Sequence, residues 1–183
     1  MVLGLPELLR SWAIKLDDLI TIRQMLTDDV PVVFEWRNDP RVRKYMFNSS
    51  PLELDCHVAW FEKTHQDPQR YPLLVCRNEQ PFGFVQFNVS GCGAVADWGF
   101  YVDPDGPKGQ GTMLGRPALN FGFNKLSLDR ICGHVLAGNP RSLAFHAQLG
   151  FTLEGVLRSH HLSVSGYQDV HLFGVLIKEW TGA

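Results

Sequence analysis

The segment Tyr101-Val102-Asp103-Pro104-Asp105-Gly106-Pro107-Lys108-Gly109-Gln110-Gly111-Thr112 has residue types and spacing suited to holding phosphate. An apolar strand pattern breaks at proline and enters a helical pattern through three closely spaced glycines. At such a junction backbone N–H groups converge on one concavity, the helix dipole adds about half a positive charge, and glycine lets a phosphate approach the main chain. The segment is not a dinucleotide fingerprint, because the third spaced glycine and a later acidic residue at a strand end are missing. It is not a P-loop either, because no Gly-Lys-Ser/Thr follows. An ordinary turn, or a site for another phosphorylated ligand, both fit the spacing.

A second concentration of chemistry is Trp36-Arg37-Asn38-Asp39-Pro40-Arg41-Val42-Arg43-Lys44-Tyr45-Met46-Phe47. From Trp36 to Lys44, four basic side chains stand against one acid, a local charge of +3 in a chain of net charge -2. Met46 and Phe47 flank it, and His57 and Trp60 follow. Such a patch suits a diphosphate and a stacked base; the alternative is a solvated helix face whose arginines pair with local acids. His160 and His161 are adjacent, so in a strand they point to opposite faces and cannot share a metal ion. His134 alternates with Val135 and reads as a core histidine. No metal site is expected.

These residues need elements to position them. Leu5, Leu8, Leu9, Trp12 and Leu16 recur at helical spacing, so residues 1–18 are expected to be a helical extension preceding one domain over 19–183. A first strand at 19–23 leads, through Thr27-Asp28-Asp29, into a helix carrying Val33, Phe34 and Trp36; a short helical piece at 41–46 and a helix from Pro51 to Gln66 follow. Runs rich in Val, Phe and Tyr at 71–76, 82–89 and 94–102 predict an antiparallel meander. A helix is predicted over 114–126, with Pro117 near its start. A strand at 131–136, a helix from Asn139-Pro140 to Gln148 closed by Gly150, and strands at 151–157 and 170–177 complete the pattern.

The chain has 183 residues, 45 % apolar and 20 % charged, with 12 Phe, 5 Trp and 4 Tyr, which is the composition of a globular domain able to bury a core. Seventeen basic against nineteen acidic side chains argue against nucleic acid as a partner. Cys56, Cys76, Cys92 and Cys132 form no Cys-x-x-Cys pair and read as free thiols of a reducing compartment. Glu7, Arg10, Lys15, Asp17 and Asp18 interrupt the N-terminal apolar residues, unlike a signal peptide, and no run approaches the length of a membrane span. A cytoplasmic protein is expected.

The segment Leu128-Asp129-Arg130-Ile131-Cys132-Gly133-His134-Val135, followed by Asn139-Pro140-Arg141-Ser142-Leu143-Ala144-Phe145-His146-Ala147-Gln148-Leu149-Gly150-Phe151, resembles the second signature of the GCN5-related N-acetyltransferase superfamily. The resemblance covers nearly the whole chain. It implies an α/β fold with a mixed, mostly antiparallel sheet splayed between its fourth and fifth strands to admit acetyl-coenzyme A, and acyl transfer to a primary amine by direct attack on the thioester. It implies further that Lys108, Gly109, Gln110, Gly111 and Thr112 hold the cofactor pyrophosphate, that Asn139 and Ser142 approach the cofactor, and that a backbone N–H near Val102 holds the oxyanion. The chain departs from the pattern at Gly106, where the family usually has Gln or Arg. It departs again seven residues after Asn139, where many members carry a tyrosine acid and this chain has His146. His146 is either that acid or a helix-surface residue, water then protonating the thiolate. Asp97 and Trp98 fall on the strand that runs beside the acetyl group, so Asp97 is either a base or a solvent-facing acid, and Trp98 a substrate contact.

The stretch from Trp36 to Phe47, with His57 and Trp60, resembles the nucleotide-sugar acetyltransferases of pseudaminic acid biosynthesis. That resemblance implies a UDP-linked amino-dideoxy sugar as acceptor, with Arg37, Asn38, Arg43, Met46, Phe47, His57 and Trp60 as its contacts and a homodimer as an assembly the reading admits. A ribosomal-protein-type N-terminal acetyltransferase and a non-catalytic acyl-coenzyme A sensor are the competing readings.

Overall fold

The computed structural model describes residues 19–90, 94–164 and 166–182. The expected extension over 1–18 and Cys92 lie outside them. In chain order the elements are β1 (Ile20–Gln24), a 3-10 turn (Thr27–Asp29), α1 (Val30–Asn38), α2 (Pro40–Arg43), α3 (Leu54–Gln66), β2 (Arg70–Arg77), β3 (Gln80–Val89), β4 (Val95–Val102), α4 (Gln110–Asn124), β5 (Arg130–Leu136), α5 (Pro140–Gln148), β6 (Thr152–Ser163), β7 (Gly166–Leu176) and a closing 3-10 turn (Ile177–Glu179).

The seven strands form one sheet in the order β1-β2-β3-β4-β5-β7-β6. Neighbours are antiparallel except β4 and β5, which the crossover through α4 makes parallel. Both faces of β2 are covered, which is why it reads as an unbroken apolar run. Leu73 and Val75 enter a large core with α4 and α5, built on Leu114, Leu119, Phe123 and Leu149. Leu74 and Cys76 enter a smaller one with Val30, Val33, Trp36 and Phe61 of α1 and α3.

Local chemistry sets the element ends. Asn139 Oδ1 accepts from the Ser142 N–H at 3.1 Å and caps α5, and Gly150 beyond its end takes φ +84°. Asp29 begins α1, accepting from both terminal nitrogens of Arg23 and from the Leu26 N–H. Burial pushes the Asp29 pKa up, but the Arg23 and Leu26 bonds outweigh it, and the net shift is downward.

Three expectations need correction. Helix α4 begins at Gln110, four residues before the predicted start, so Pro117 lies in its interior and the Met113 carbonyl loses its N–H donor there. Strands β6 and β7 form a hairpin that extends well beyond the predicted strands and reaches His160 and His161. His134 is not a core residue, because its alternation with Val135 turns it to the sheet face opposite α5, leaving 48 % of its side chain exposed.

Candidate functional site

The glycine segment forms a loop that enters α4 through Gly109, whose φ of +96° is left-handed backbone favouring glycine. A Cβ at Gly109 would meet nothing within 4 Å, and one at Gly111 only the Phe145 ring at 3.8 Å, so the mouth of the helix is open. Lys108 and Thr112 are exposed beside it. Gln110 behaves otherwise: its side chain is buried over Gly106, in the space that a side chain at 106 would fill. The absence of the usual Gln or Arg at 106 is thus matched by a glutamine four residues later. The loop also carries an acid toward the basic segment, with Asp105 accepting from Arg41 at 2.8 Å while Arg41 is held bidentately by Asp39.

Beyond the loop the sheet opens. Strands β4 and β5 pair only from Val95–Arg130 to Trp98–Gly133 and then part. The Asp103 N–H bonds Phe82 of β3, whereas the Ala94 carbonyl faces β5, where the N–H groups of Asp129 and Arg130 reach it. By alternation, the N–H and C=O groups of Phe100 and Val102 point into the gap with no strand to receive them. A ligand with an extended amide chain can complete that half-ladder.

The α5 side of the gap is packed. His146 is 2 % exposed; the Trp98 indole N–H donates to its Nε2 at 3.1 Å, and its Nδ1 donates to the Ser142 carbonyl at 2.8 Å. Because indole is only a donor, these bonds define a neutral imidazole with both nitrogens engaged. Burial holds its pKa below the ordinary range, the Ser142 carbonyl opposing weakly. His146 is therefore neither a helix-surface residue nor, in this arrangement, an acid with a proton to spare. Trp98 is likewise a core residue, stacked with Phe145 and Phe151, rather than a lining of an open pocket. Gly133 explains the close fit, since a Cβ there would overlap the His146 ring and crowd Trp98.

The other face of the gap is open. Asp97, Gly99 and Tyr101 of β4 share it with Cys132 and His134 of β5, and a Cβ at Gly99 would meet nothing within 4 Å. A cavity of about 560 Å³ adjoins this face, lined by Lys44, Tyr45, Leu136, Gly138, Gln168 and Asp169 among others. Phe47, from the segment after α2, meets His161 of β6 edge to face at 5.2 Å across the cavity's flank.

On the α1–α3 side, His57 stacks on Trp60 at 4.8 Å and tilts against Phe34. Trp60 meets Phe84, which stacks on Tyr101. His57 is 4 % exposed, and its Nε2, like Arg37 Nη1, is buried without a hydrogen-bond partner among the described residues. Burial first, then the Arg37 charge, pulls the His57 pKa down to about 4. Burial also pushes the Tyr101 hydroxyl well above its ordinary range, with Arg37 opposing. The other Arg37 nitrogen donates to the Asn48 carbonyl at 2.6 Å.

The structure thus brings Arg37, His57 and Trp60 together around Tyr101, a residue that sequence reasoning did not single out. It removes Asn38 from the group: the amide of Asn38 donates to the Leu52 carbonyl and accepts the Leu52 N–H, holding the loop after α2. Arg43 and Met46 are half-buried beside the cavity segment. Among the described residues no group of three His, Cys, Asp or Glu side chains is arranged to hold a metal ion.

A sheet that forks between parallel strands, with a glycine-lined helix mouth at the fork, defines an acyl-coenzyme A-binding acyltransferase. The acetyltransferase (GNAT) domain model matches residues 20–152, and the chain belongs to that family. It is 25 % identical over 130 residues to acetyltransferase PseH of Campylobacter jejuni, covering 71 % of this chain and 81 % of the relative. To the spermidine N(1)-acetyltransferase of Vibrio cholerae it is 24 % identical over 162 residues, covering 86 % and 92 %. The crystal structure of the Vibrio cholerae spermidine N-acetyltransferase in complex with CoA and spermine superposes with a TM-score of 0.81 at 24 % identity, over 87 % of this chain and 96 % of that one. The protein is an acetyl-CoA-dependent N-acetyltransferase of the GNAT type.

Proposed function

We propose that the acceptor is the amino group of a UDP-linked amino-dideoxy sugar, bound in the cavity beside the fork. The supporting observation is the charge of that surface. Lys44 lines the cavity with Arg43 adjacent and Arg37 behind, against one lining carboxylate, Asp169. A diphosphate favours such a surface, whereas a polyamine with several positive charges would need several carboxylates. Phe47, exposed two residues beyond the cavity-lining Tyr45, supplies apolar wall for a deoxy sugar.

Acetyl-CoA supplies the activated acetyl thioester. In the mechanism we propose, Gly109 and Gly111 at the mouth of α4, with Lys108 and Thr112, hold the pyrophosphate. The N–H groups of Phe100 and Val102 hold the chain and the carbonyl oxygen as charge develops on it. Asn139 and Ser142 keep α5 in place against the fork. His146 fixes Trp98 and α5, and the departing thiolate takes its proton from water. We place the enzyme in the cytoplasm, as a homodimer.

The test is acetyl transfer to UDP-amino sugars, spermidine and peptide N-termini, followed by mass spectrometry. Transfer to the sugar nucleotide, with a KM that rises with ionic strength and rises further in Arg43→Glu, supports the reading. Efficient transfer to spermidine or to peptides, with every UDP-amino sugar ignored, replaces it.

A further inference from the structure

We propose that His134, oriented by Asp97, takes the first proton from the acceptor ammonium; the proposal rests on the thioester lying in the gap between β4 and β5. A primary amine reaches the site mostly protonated and must lose a proton before its lone pair can attack. The α5 side of the fork is filled by Trp98, Phe100, Phe145 and His146, so the amine must arrive over the other face. There the last β4–β5 pair is Trp98–Gly133, and the next residue of each strand is Gly99, which leaves open space, and His134.

The His134 Nε2 lies 3.9 Å from Asp97 Oδ1, within ion-pair range across the two strands. Nδ1 has no hydrogen-bond partner among the described residues. The carboxylate favours the tautomer with its proton on Nε2 and leaves the Nδ1 lone pair available. Leu136, two residues further along the same face of β5, lines the cavity, so His134 stands next to it along that face. Around it, Cys132 and the Arg130–Glu154 ion pair lie deeper on the same face, Asn88 of β3 pairs with Asp97, and Leu172 of β7 pairs with His134. Lys44 and Asp169 bound the cavity above.

Protons and electrons balance as follows. The first N–H proton passes to His134 Nδ1 and then to solvent. The freed lone pair forms the N–C bond to the acetyl carbon, and the C–S pair leaves on sulfur. The second proton lost from nitrogen is matched by the one the thiolate takes up. His134 is then a catalytic residue and Asp97 a positioning residue.

The test uses His134→Ala and Asp97→Asn, both at exposed positions. On whichever acceptor the wild type acetylates among a UDP-4-amino sugar, spermidine and a peptide N-terminus, His134→Ala should lower kcat/KM at pH 7 by about 100-fold. Calorimetry should show acetyl-CoA affinity unchanged. With methoxyamine, an amine already neutral at that pH, the loss should nearly vanish. An equal loss with methoxyamine makes His134 structural, and no loss with any acceptor removes it; either result overturns the proposal. A wild type that binds no acetyl-CoA sinks the site reading itself, a distinguishable failure. Asp97→Asn should lower kcat/KM for the protonated amine while leaving turnover of methoxyamine and acetyl-CoA affinity nearly unchanged, and an unchanged kcat/KM breaks the pairing.

Discussion

At the scale of single residues the two buried histidines govern the response to acid. His57, pulled to about 4 by burial and by Arg37, and His146, lowered by burial, are neutral when folded and ordinary imidazoles when unfolded. For His57, between the unfolded value near 6.5 and the folded value near 4, the unfolded chain binds more protons, so stability falls as pH drops through that window and levels off below it; His146, lowered by burial, acts in the same direction. Carboxylates such as Asp29 and Asp39, held low by Arg23 and Arg41, add their losses only at lower pH. Calorimetric melting should therefore show Tm dropping from pH 7 to pH 4.5, and His57→Leu should flatten that slope. An equal slope in the variant would mean that other groups carry the acid response. The place of His146, seven residues after Asn139, is legible in the sequence. Its neutral state is not, because the indole that sets it is 48 residues away on β4.

At the scale of elements, α4 gives two opposed expectations for similar substitutions. Gly111→Val places its Cβ in ordinary contact with Phe145, so it should leave Tm unchanged while weakening acetyl-CoA binding at least tenfold by calorimetry. Equal affinity would remove the helix mouth from the site. Gly115→Val meets Phe145 at 2.6 Å and Leu149 at 2.8 Å and should cost roughly 1–3 kcal/mol of stability by denaturant titration. Pro117 sits mid-helix, where proline costs about 3 kcal/mol against alanine and returns about 1 kcal/mol by stiffening the unfolded chain. Pro117→Ala should then stabilise by about 2 kcal/mol, and a destabilised variant would show that the helix depends on the proline's packing. The Gly-Gln-Gly spacing announces a phosphate-binding turn. That Gln110 folds over Gly106 depends on the path of the loop, which the spacing does not specify.

At the scale of the whole molecule, the β6–β7 hairpin ends the sheet with Leu153, Val156, Leu157, Leu162, Val164 and Tyr167 exposed along it. A long apolar edge strand invites pairing, and the proposed homodimer would bury it. Light scattering should give twice the chain mass of 20.7 kDa, and Val156→Lys with Leu162→Lys should return the single-chain mass. A wild type that is monomeric at all concentrations ends that proposal.

What the sequence determined by itself is what depends on neighbours along the chain: the apolar run of β2, the cap and glycine stop that frame α5 to the residue, and the strand, loop and helix order that marks the family. The tertiary structure decided the site's polarity and its partners. Asp97 faces His134 and Trp98 reaches His146 because a crossover makes β4 and β5 parallel, lets them pair for four residues and then parts them, while Arg41 of α2 reaches Asp105 in the loop after β4. Alternation along a strand says only that a side chain takes one face or the other. Which face is buried, and what stands opposite, is set by the helices and strands that pack there from distant parts of the chain.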